Sequence, residues 1–370
     1  EMCGNKLTKM IDFDASADYG QPCYLKYSSA YGSPQLAERL IQYADGAGLP
    51  PWSEWMKQPD TQITASVAID MWSFGILVFK LTATDSAPMW LSSEADNIVE
   101  PSDLHTLAYK WELCKLEKVG RILRSGSEWV AAADLALWCL QTKPERRPQS
   151  FRDVREHRFF VRDGLLRYVQ PNETWAAALE RRTIELHRTT QSAGPSGVPD
   201  RLKELFEHGG VDINATLKSS TVRLLHRAAK LGNLQLIEYL LQEVHKEAWA
   251  DVLSIQSAGG YTPLHWCAAC GGGSNGKEAQ QRYGSVAKCL LESGSDPTIV
   301  SSRGQTAWDV AHTAKSSGVL QTFEEFATVD PAAAGQAARS LRKELARRNH
   351  RPAVAQTFRD DIEMSMERFT

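Results

Sequence analysis

No run of apolar residues in this sequence approaches the ~20 needed to cross a bilayer. The longest candidate, Met71 to Leu81, is interrupted by Ser73, Gly75 and Lys80. Charge of either sign barely prevails: 42 Lys and Arg face 45 Asp and Glu, a formal net charge of -3. That balance gives no global electrostatic reason to expect nucleic acid or an anionic membrane surface as partner. Cysteine is sparse and odd in number, with Cys3, Cys23, Cys114, Cys139, Cys267, Cys270 and Cys289 spread over 370 residues. Such spacing excludes a disulfide framework and reads as reduced core thiols in a reducing compartment, the cytosol, with the nucleus also compatible. Strand signals are nearly missing; the only one is Lys9-Met10-Ile11 before Asp12. The chain opens on Glu1 rather than Met, so no targeting signal can be judged and a fragment or processed product is expected.

What is present is a 42% hydrophobic, 24% charged chain, normal for globular protein and long enough for two or three domains. Residues 1–162 alternate apolar helical segments with turn-rich stretches. Val67 to Leu81 crowds apolar residues all round, as a buried helix does, and Trp129 to Leu140 is a second helix rich in Ala and Leu. Residues 163–200 form a helical extension and linker. Its first part carries a stripe of Leu165, Leu166, Trp175, Leu179 and Ile184, and Thr189 to Asp200 (TTQSAGPSGVPD) has no periodicity. Helical segments recur coarsely over 201–326. Residues 327–370 are a tail, helical or partly disordered.

Three patterns in the first part fall in a fixed order: Ile11-Asp12-Phe13-Asp14; Asp70-Met71-Trp72-Ser73-Phe74-Gly75; and Pro144-Glu145-Arg146-Arg147-Pro148. Together they resemble the C-terminal lobe of eukaryotic protein kinases, which runs from a metal-binding Asp-Phe-Gly through a D-x-W-S-x-G helix to a terminal Arg. The resemblance implies a helical lobe in which Asp12 holds the Mg²⁺ that bridges the phosphates of ATP. It implies that Tyr27 to Gln35 ends an activation segment, with Ser28, Ser29, Tyr31 and Pro34 facing substrate and Ser28 favouring the Ser/Thr class. Gln35 stands where the family has a Glu, and would meet Arg147 as a neutral partner. Asp70 would support the backbone of the catalytic loop.

The departures are as informative. Asp14 replaces the glycine of Asp-Phe-Gly, a residue that takes positive φ freely. Only eleven residues precede Asp12, and none of the His-Arg pairs (His157, His187, His226, His350) is followed by Asp. This chain alone therefore lacks a catalytic base and an ATP-binding lobe, and whether it is an enzyme stays open. ATP and Mg²⁺ belong to a full-length parent only. Residues 36–66, with Leu40, Ile41, Trp52, Trp55 and Met56, read as a helical insert.

In the second part, Thr262-Pro263-Leu264-His265 within Gly260 to Ala268 resembles the turn and first helix of an ankyrin repeat. Thr262 can cap the helix and Pro263 suits its first turn; Leu264 completes the motif, and the resemblance implies that His265 stabilises the turn by hydrogen bonding. Weaker copies run from Leu225-His226 and from Gly304 to Ala311. The spacings exceed the ~33-residue period, so insertions are placed near Val244 to Ala248 and at Gly272 to Gly284. Leu202 to Asn214 reads as the end of a preceding half-repeat. The resemblance implies a solenoid that binds protein and does no chemistry.

Three further patterns carry less. Gly271 to Lys277 fits phosphate-loop templates but lacks Ser or Thr after the Lys and comes after a helix, so it reads as a flexible loop. Cys267-x-x-Cys270 has no second ligand pair and reads as buried thiols. Ala338 to Arg348 is a basic helix candidate whose charged face is solvated or, as the alternative, meets an anionic partner or membrane surface. The fold class expected is mainly α: a kinase-like C-lobe and then an ankyrin solenoid. The function expected is the C-terminal part of a Ser/Thr kinase-like protein with a protein substrate and a protein partner; the alternative is an inactive pseudokinase-ankyrin scaffold. No nucleic acid and no membrane span are expected.

Overall fold

The computed structural model describes residues 18–23, 29–44, 63–83, 89–93, 97–122, 129–161, 163–170, 173–218, 220–272 and 276–328. The strand expected at Lys9 to Ile11, the insert residues Trp52, Trp55 and Met56, and the tail helix at 338–348 lie outside them. The chain divides into two units, Glu1–Asn172 and Glu173–Thr370.

The first unit is helical. A short β1 (Pro22–Cys23) pairs antiparallel with β2 (Ile63–Thr64), on either side of α1 (Pro34–Ala44) in the sequence. The central α2 (Val67–Thr82) is not buried all round, as its composition suggested. Met71, Trp72, Ile76, Val78 and Phe79 are buried, while Leu77 and Leu81 remain 42% and 67% exposed. Helix α3 (Pro101–His105) continues through one π-helical turn at Thr106–Lys110 into α4 (Trp111–Gly120). Helix α5 (Val130–Cys139) packs on α2. Gly75 makes that approach possible, since a Cβ there would meet Cys139 Cβ at 2.7 Å and overpack the seam. Trp111 anchors the centre: its ring meets Trp72 and Trp90 edge-on at 5.4 and 5.8 Å, and its Nε1 donates to Leu140 O at 2.7 Å.

Past α6 (Phe151–Arg155), the unit holds its last segment with one buried carboxylate. Asp134, fully buried on α5, accepts from the backbone N–H groups of Arg167, Tyr168 and Val169 at 2.7, 2.7 and 3.1 Å. His157 Nε2 lies 2.9 Å from its Oδ1. This anchor carries the first unit past residue 162. Leu165, read as part of an apolar helical stripe, instead pairs as an isolated parallel bridge with His157 and is 79% exposed.

The second unit is a stack of helix pairs. Helices α7 (Trp175–Ser192), α8 (Asp200–Glu207), α9 (Leu224–Leu231) and α10 (Leu234–Gln242) form the first two pairs. After a short 3₁₀ turn and α11 (Trp249–Ser254) come α12 (Pro263–Cys270), α13 (Lys277–Glu292), α14 (Ala307–Ala314) and α15 (Ser317–Thr328). The inner helices α7, α9, α12 and α14 pack in series, as do the outer helices α10, α13 and α15. Helix α7 runs through the start of the expected linker, and Asn233 donates to Gly194 O and Gly197 O at 2.8 Å, fastening the turn beyond it. The buried face of α7 is Trp175, Ala178, Arg182, Leu186, His187 and Thr190; Ile184 is 40% exposed. The insertion expected at Gly272 to Gly284 is mostly helix: α13 begins at Lys277, and Gly284 sits against Gly318 O of α15, where a Cβ would come within 2.9 Å. Among the described residues no helix is long and apolar enough to cross a membrane.

Candidate functional site

The local construction of the second unit repeats. At the start of α12 the backbone N–H of Thr262 donates to His265 Nδ1 at 3.2 Å, and the Thr262 hydroxyl approaches the same nitrogen at 2.8 Å. Nδ1 is thus the acceptor, which fixes the Nε2–H tautomer, and Nε2 donates to Gln305 O, in the hairpin leading to the next inner helix, at 3.1 Å. Pro263 occupies the first turn and Leu264 is buried. His226 does the same on α9: it accepts from Arg223 N at 3.2 Å and donates to Tyr261 O at 3.0 Å. Each imidazole joins its own helix start to the next repeat.

A third copy precedes these. His187, 1% exposed on α7, donates from Nε2 to Ala215 O at 2.8 Å. Its Nδ1 cannot serve a helix start, because α7 began three turns earlier; Arg227 Nε of α9 donates to it instead, at 2.9 Å. Three Leu-His pairs (Leu186-His187, Leu225-His226, Leu264-His265) therefore recur every 39 residues. That regular spacing was the signal in the sequence for His187, hidden because it was read as one of several His-Arg pairs. On α14 the equivalent residue is Asp309, whose Oδ2 accepts from Thr306 N at 2.8 Å. Here α14 is the last inner helix among the described residues.

The family model for ankyrin repeats matches residues 190–301, in three copies. Residues 190–301 are ankyrin repeats. The match begins near the end of α7, so the inner helix of the first pair lies largely before it, and α14 and α15 lie after it. No curated protein matches the chain. Cys267 is buried in the ankyrin stack and its thiol is held well above the ordinary range by desolvation; burial likewise pushes Cys270 up to about 11. Both thiols are protonated at neutral pH.

In the first unit, Arg147 and Gln35 meet. Arg147 is 2% exposed, and its Nη2 donates to Gln35 Oε1 at 2.9 Å; Nε donates to Gln141 O at 2.7 Å and Nη1 to Ala68 O at 2.8 Å. Gln35 Nε2 closes the bracket on Thr142 O at 2.7 Å. These acceptors are neutral, and desolvation pulls the guanidinium down to about 9. Trp72 lies under it, with its ring centroid 5.0 Å away.

Ser29, Tyr31 and Pro34 lie together just before and at the start of α1. Ser29 is nearly buried and accepts from Ile98 N at 2.7 Å, Trp90 Nε1 donates to Ala30 O at 3.1 Å, and Lys80 Nζ donates to the Tyr31 hydroxyl at 2.9 Å. Asp70 is exposed and accepts from the Tyr19 hydroxyl at 3.0 Å. Asp12 and Ser28 lie outside the described residues. Among the described residues no group of three or more His, Cys, Asp or Glu is placed to hold a metal ion, so they form no Mg²⁺ site and no phosphoryl-transfer step can be built from them.

Desolvation lowers the pKa of His226 and His265 to about 4, and depresses that of His187 as well. The unfolded chain, with histidine near 6.5, then binds more protons than the folded one at acid pH. The stability these residues supply is therefore complete above about pH 6.5 and is lost as pH falls from there to about 4. Urea unfolding of the repeats tracked against pH checks this. A His226→Leu variant, expected to lose about 1–3 kcal/mol at pH 7 with its hydrogen bonds, should also show a shallower acid slope.

Proposed function

We propose that the chain is a protein-binding module whose ankyrin stack presents its inner helices to a partner. The observation that carries this reading is the serial bracing of His187, His226 and His265. It commits each imidazole to holding repeats in register and leaves no nucleophile, base or metal ligand in the brackets. Such stacks gain their use from a long, rigid surface. Replacing Ile184 or Thr313, both exposed on inner helices, with a photo-crosslinking phenylalanine should trap a partner in cells. The same residue at Glu238 or Lys288, exposed on outer helices, should not. Equal trapping at all four positions, or none at any, contradicts the proposal.

A second reading concerns the first unit: a kinase-like C-lobe, in which the parent protein is either a Ser/Thr kinase whose substrate is chosen by the repeats, or a pseudokinase scaffold. The bracket between Arg147 and Gln35, 112 residues apart in sequence, supports it. The same bracket holds a neutral amide where a carboxylate would compensate the buried cation better, which favours the scaffold within this reading. Asp12 with Mg²⁺ and ATP remains the enzyme's requirement. Thermal unfolding of the complete gene product decides between them. A rise in Tm with Mg²⁺-ATP, abolished by Asp12→Ala, supports the enzyme; an unchanged Tm supports the scaffold.

A further inference from the structure

The charges along the inner helices at the start of the stack are unbalanced. Arg223 caps α9, and Arg227 and Lys230 come one and two turns later, so the three share one face over about 10 Å. This face is the open arc of the helix: Leu224, Leu225, Ala228 and Ala229 are buried, whereas Arg223, Arg227, Lys230 and Leu231 are not. On the preceding inner helix, Arg188 is exposed one turn before Gln191, to which Arg227 Nη1 donates at 3.2 Å.

None of these four cations pairs with a carboxylate among the described residues. Arg227 spends Nε on the neutral His187 ring and Nη1 on an amide. Arg223 Nη1 reaches the carbonyls of Thr221 and Gln256, at 3.2 and 3.4 Å, and its Nε is buried with no hydrogen-bond partner among the described residues. Lys230 has the face of Trp266, 5.9 Å from the ring centroid. The neighbouring carboxylates are already taken: Glu180 by Lys218 at 2.6 Å and Glu185 by Arg201 at 2.6 Å. Asp212 acts on Arg223 through space and accepts from Asn214 N. Desolvation depresses the pKa of both Arg223 and Arg227. Elsewhere in the unit, by contrast, cations such as Arg181 and Lys203 find carboxylates at 2.9 and 3.0 Å.

A partly desolvated guanidinium with no carboxylate in direct contact is costly, and the cost is recovered when an anion arrives. The local excess is positive although the chain as a whole carries -3, so it is a property of this face. Resting on the protein-binding reading of the stack, we infer that the α7–α9 face takes an acidic peptide segment. Its carboxylates engage Arg188, Arg223, Arg227 and Lys230. An extended strand advances about 10 Å in three residues, so carboxylates three positions apart match the span from Arg223 to Lys230.

The test uses the full chain and an unbiased displayed library of twelve-residue peptides, with amide hydrogen exchange to place the winners. The inference expects enriched sequences rich in Asp and Glu, protection of α7 and α9, and weaker binding as salt rises. Arg223→Gln and Arg227→Gln should each weaken the best peptide about tenfold. The change Lys288→Gln, on the outer helix α13 and away from this face, should leave affinity unaltered. Enriched peptides without acidic character, or protection elsewhere in the stack, overturn the acidic-partner inference while sparing the protein-binding reading. Peptides that protect no part of α7–α15 overturn both. Tighter binding of a single-stranded oligonucleotide than of any acidic peptide at the same face assigns the patch to phosphate backbones and also overturns the inference.

Discussion

A buried imidazole must find a partner for each of its two nitrogens, or leave a polar atom desolvated at a cost of about 1–3 kcal/mol. In the second unit that requirement is met three times by reaching beyond the residue's own helix: to Ala215 O, Tyr261 O and Gln305 O. Apolar packing of Leu, Ala and Val along the helices supplies adhesion, but adhesion alone would allow one pair to slide on the next. The hydrogen bonds fix the register. With the register fixed, Ser302 N can donate to Gly259 O at 2.9 Å and Gln256 Nε2 to Val300 O at 3.1 Å, so the hairpins are stitched as well as the helices. The rigid surface that makes the stack useful for recognition depends on neutral histidines.

The first unit solves a related problem with charge. Asp134 and Arg147 are both sealed from solvent, and each is satisfied chiefly by backbone groups from distant parts of the chain. Asp134 ties residues 167–169 to α5, while Arg147 ties the loop after α5 to α1 and α2. Lys115, 1% exposed, is a third buried charge, satisfied instead by side chains: it donates to Glu112 at 2.5 Å and to Gln141 at 3.2 Å. Groups of this kind stabilise weakly on balance but are severe to disrupt, because removing one partner strands the other.

Much of this was legible in the sequence where local chemistry decides it. Thr262-Pro263-Leu264-His265 announces a helix start, and an inner helix begins there. Val67 to Leu81 and Trp129 to Leu140 read as helices and are. The meeting of Gln35 with Arg147 was expected from a resemblance rather than from either residue's local surroundings, and the two side chains do meet. What the sequence hid is long-range. Asp134 looks like an ordinary helical carboxylate, and only the return of residues 167–169 makes it an anchor. Helix α7 looked like a charged extension because its buried positions include Arg182 and His187, polar residues that fold inward only when backbone carbonyls await them. The excess cations at Arg223 and Arg227 are likewise invisible until the neighbouring carboxylates are seen to be engaged elsewhere.

The most direct test of this account is the tautomeric state of the histidines, read from long-range proton–nitrogen correlation spectra of the full chain at a pH of about 7.5, above the ordinary histidine pKa. The account predicts that His187, His226 and His265 are all neutral, with the proton on Nε2 and none on Nδ1. His187 is the decisive residue, since its ring stands between Ala215 O and Arg227 with no local cap to hold it. Finding it charged, or protonated on Nδ1, would contradict the claim that neutral imidazole brackets set the register of the stack.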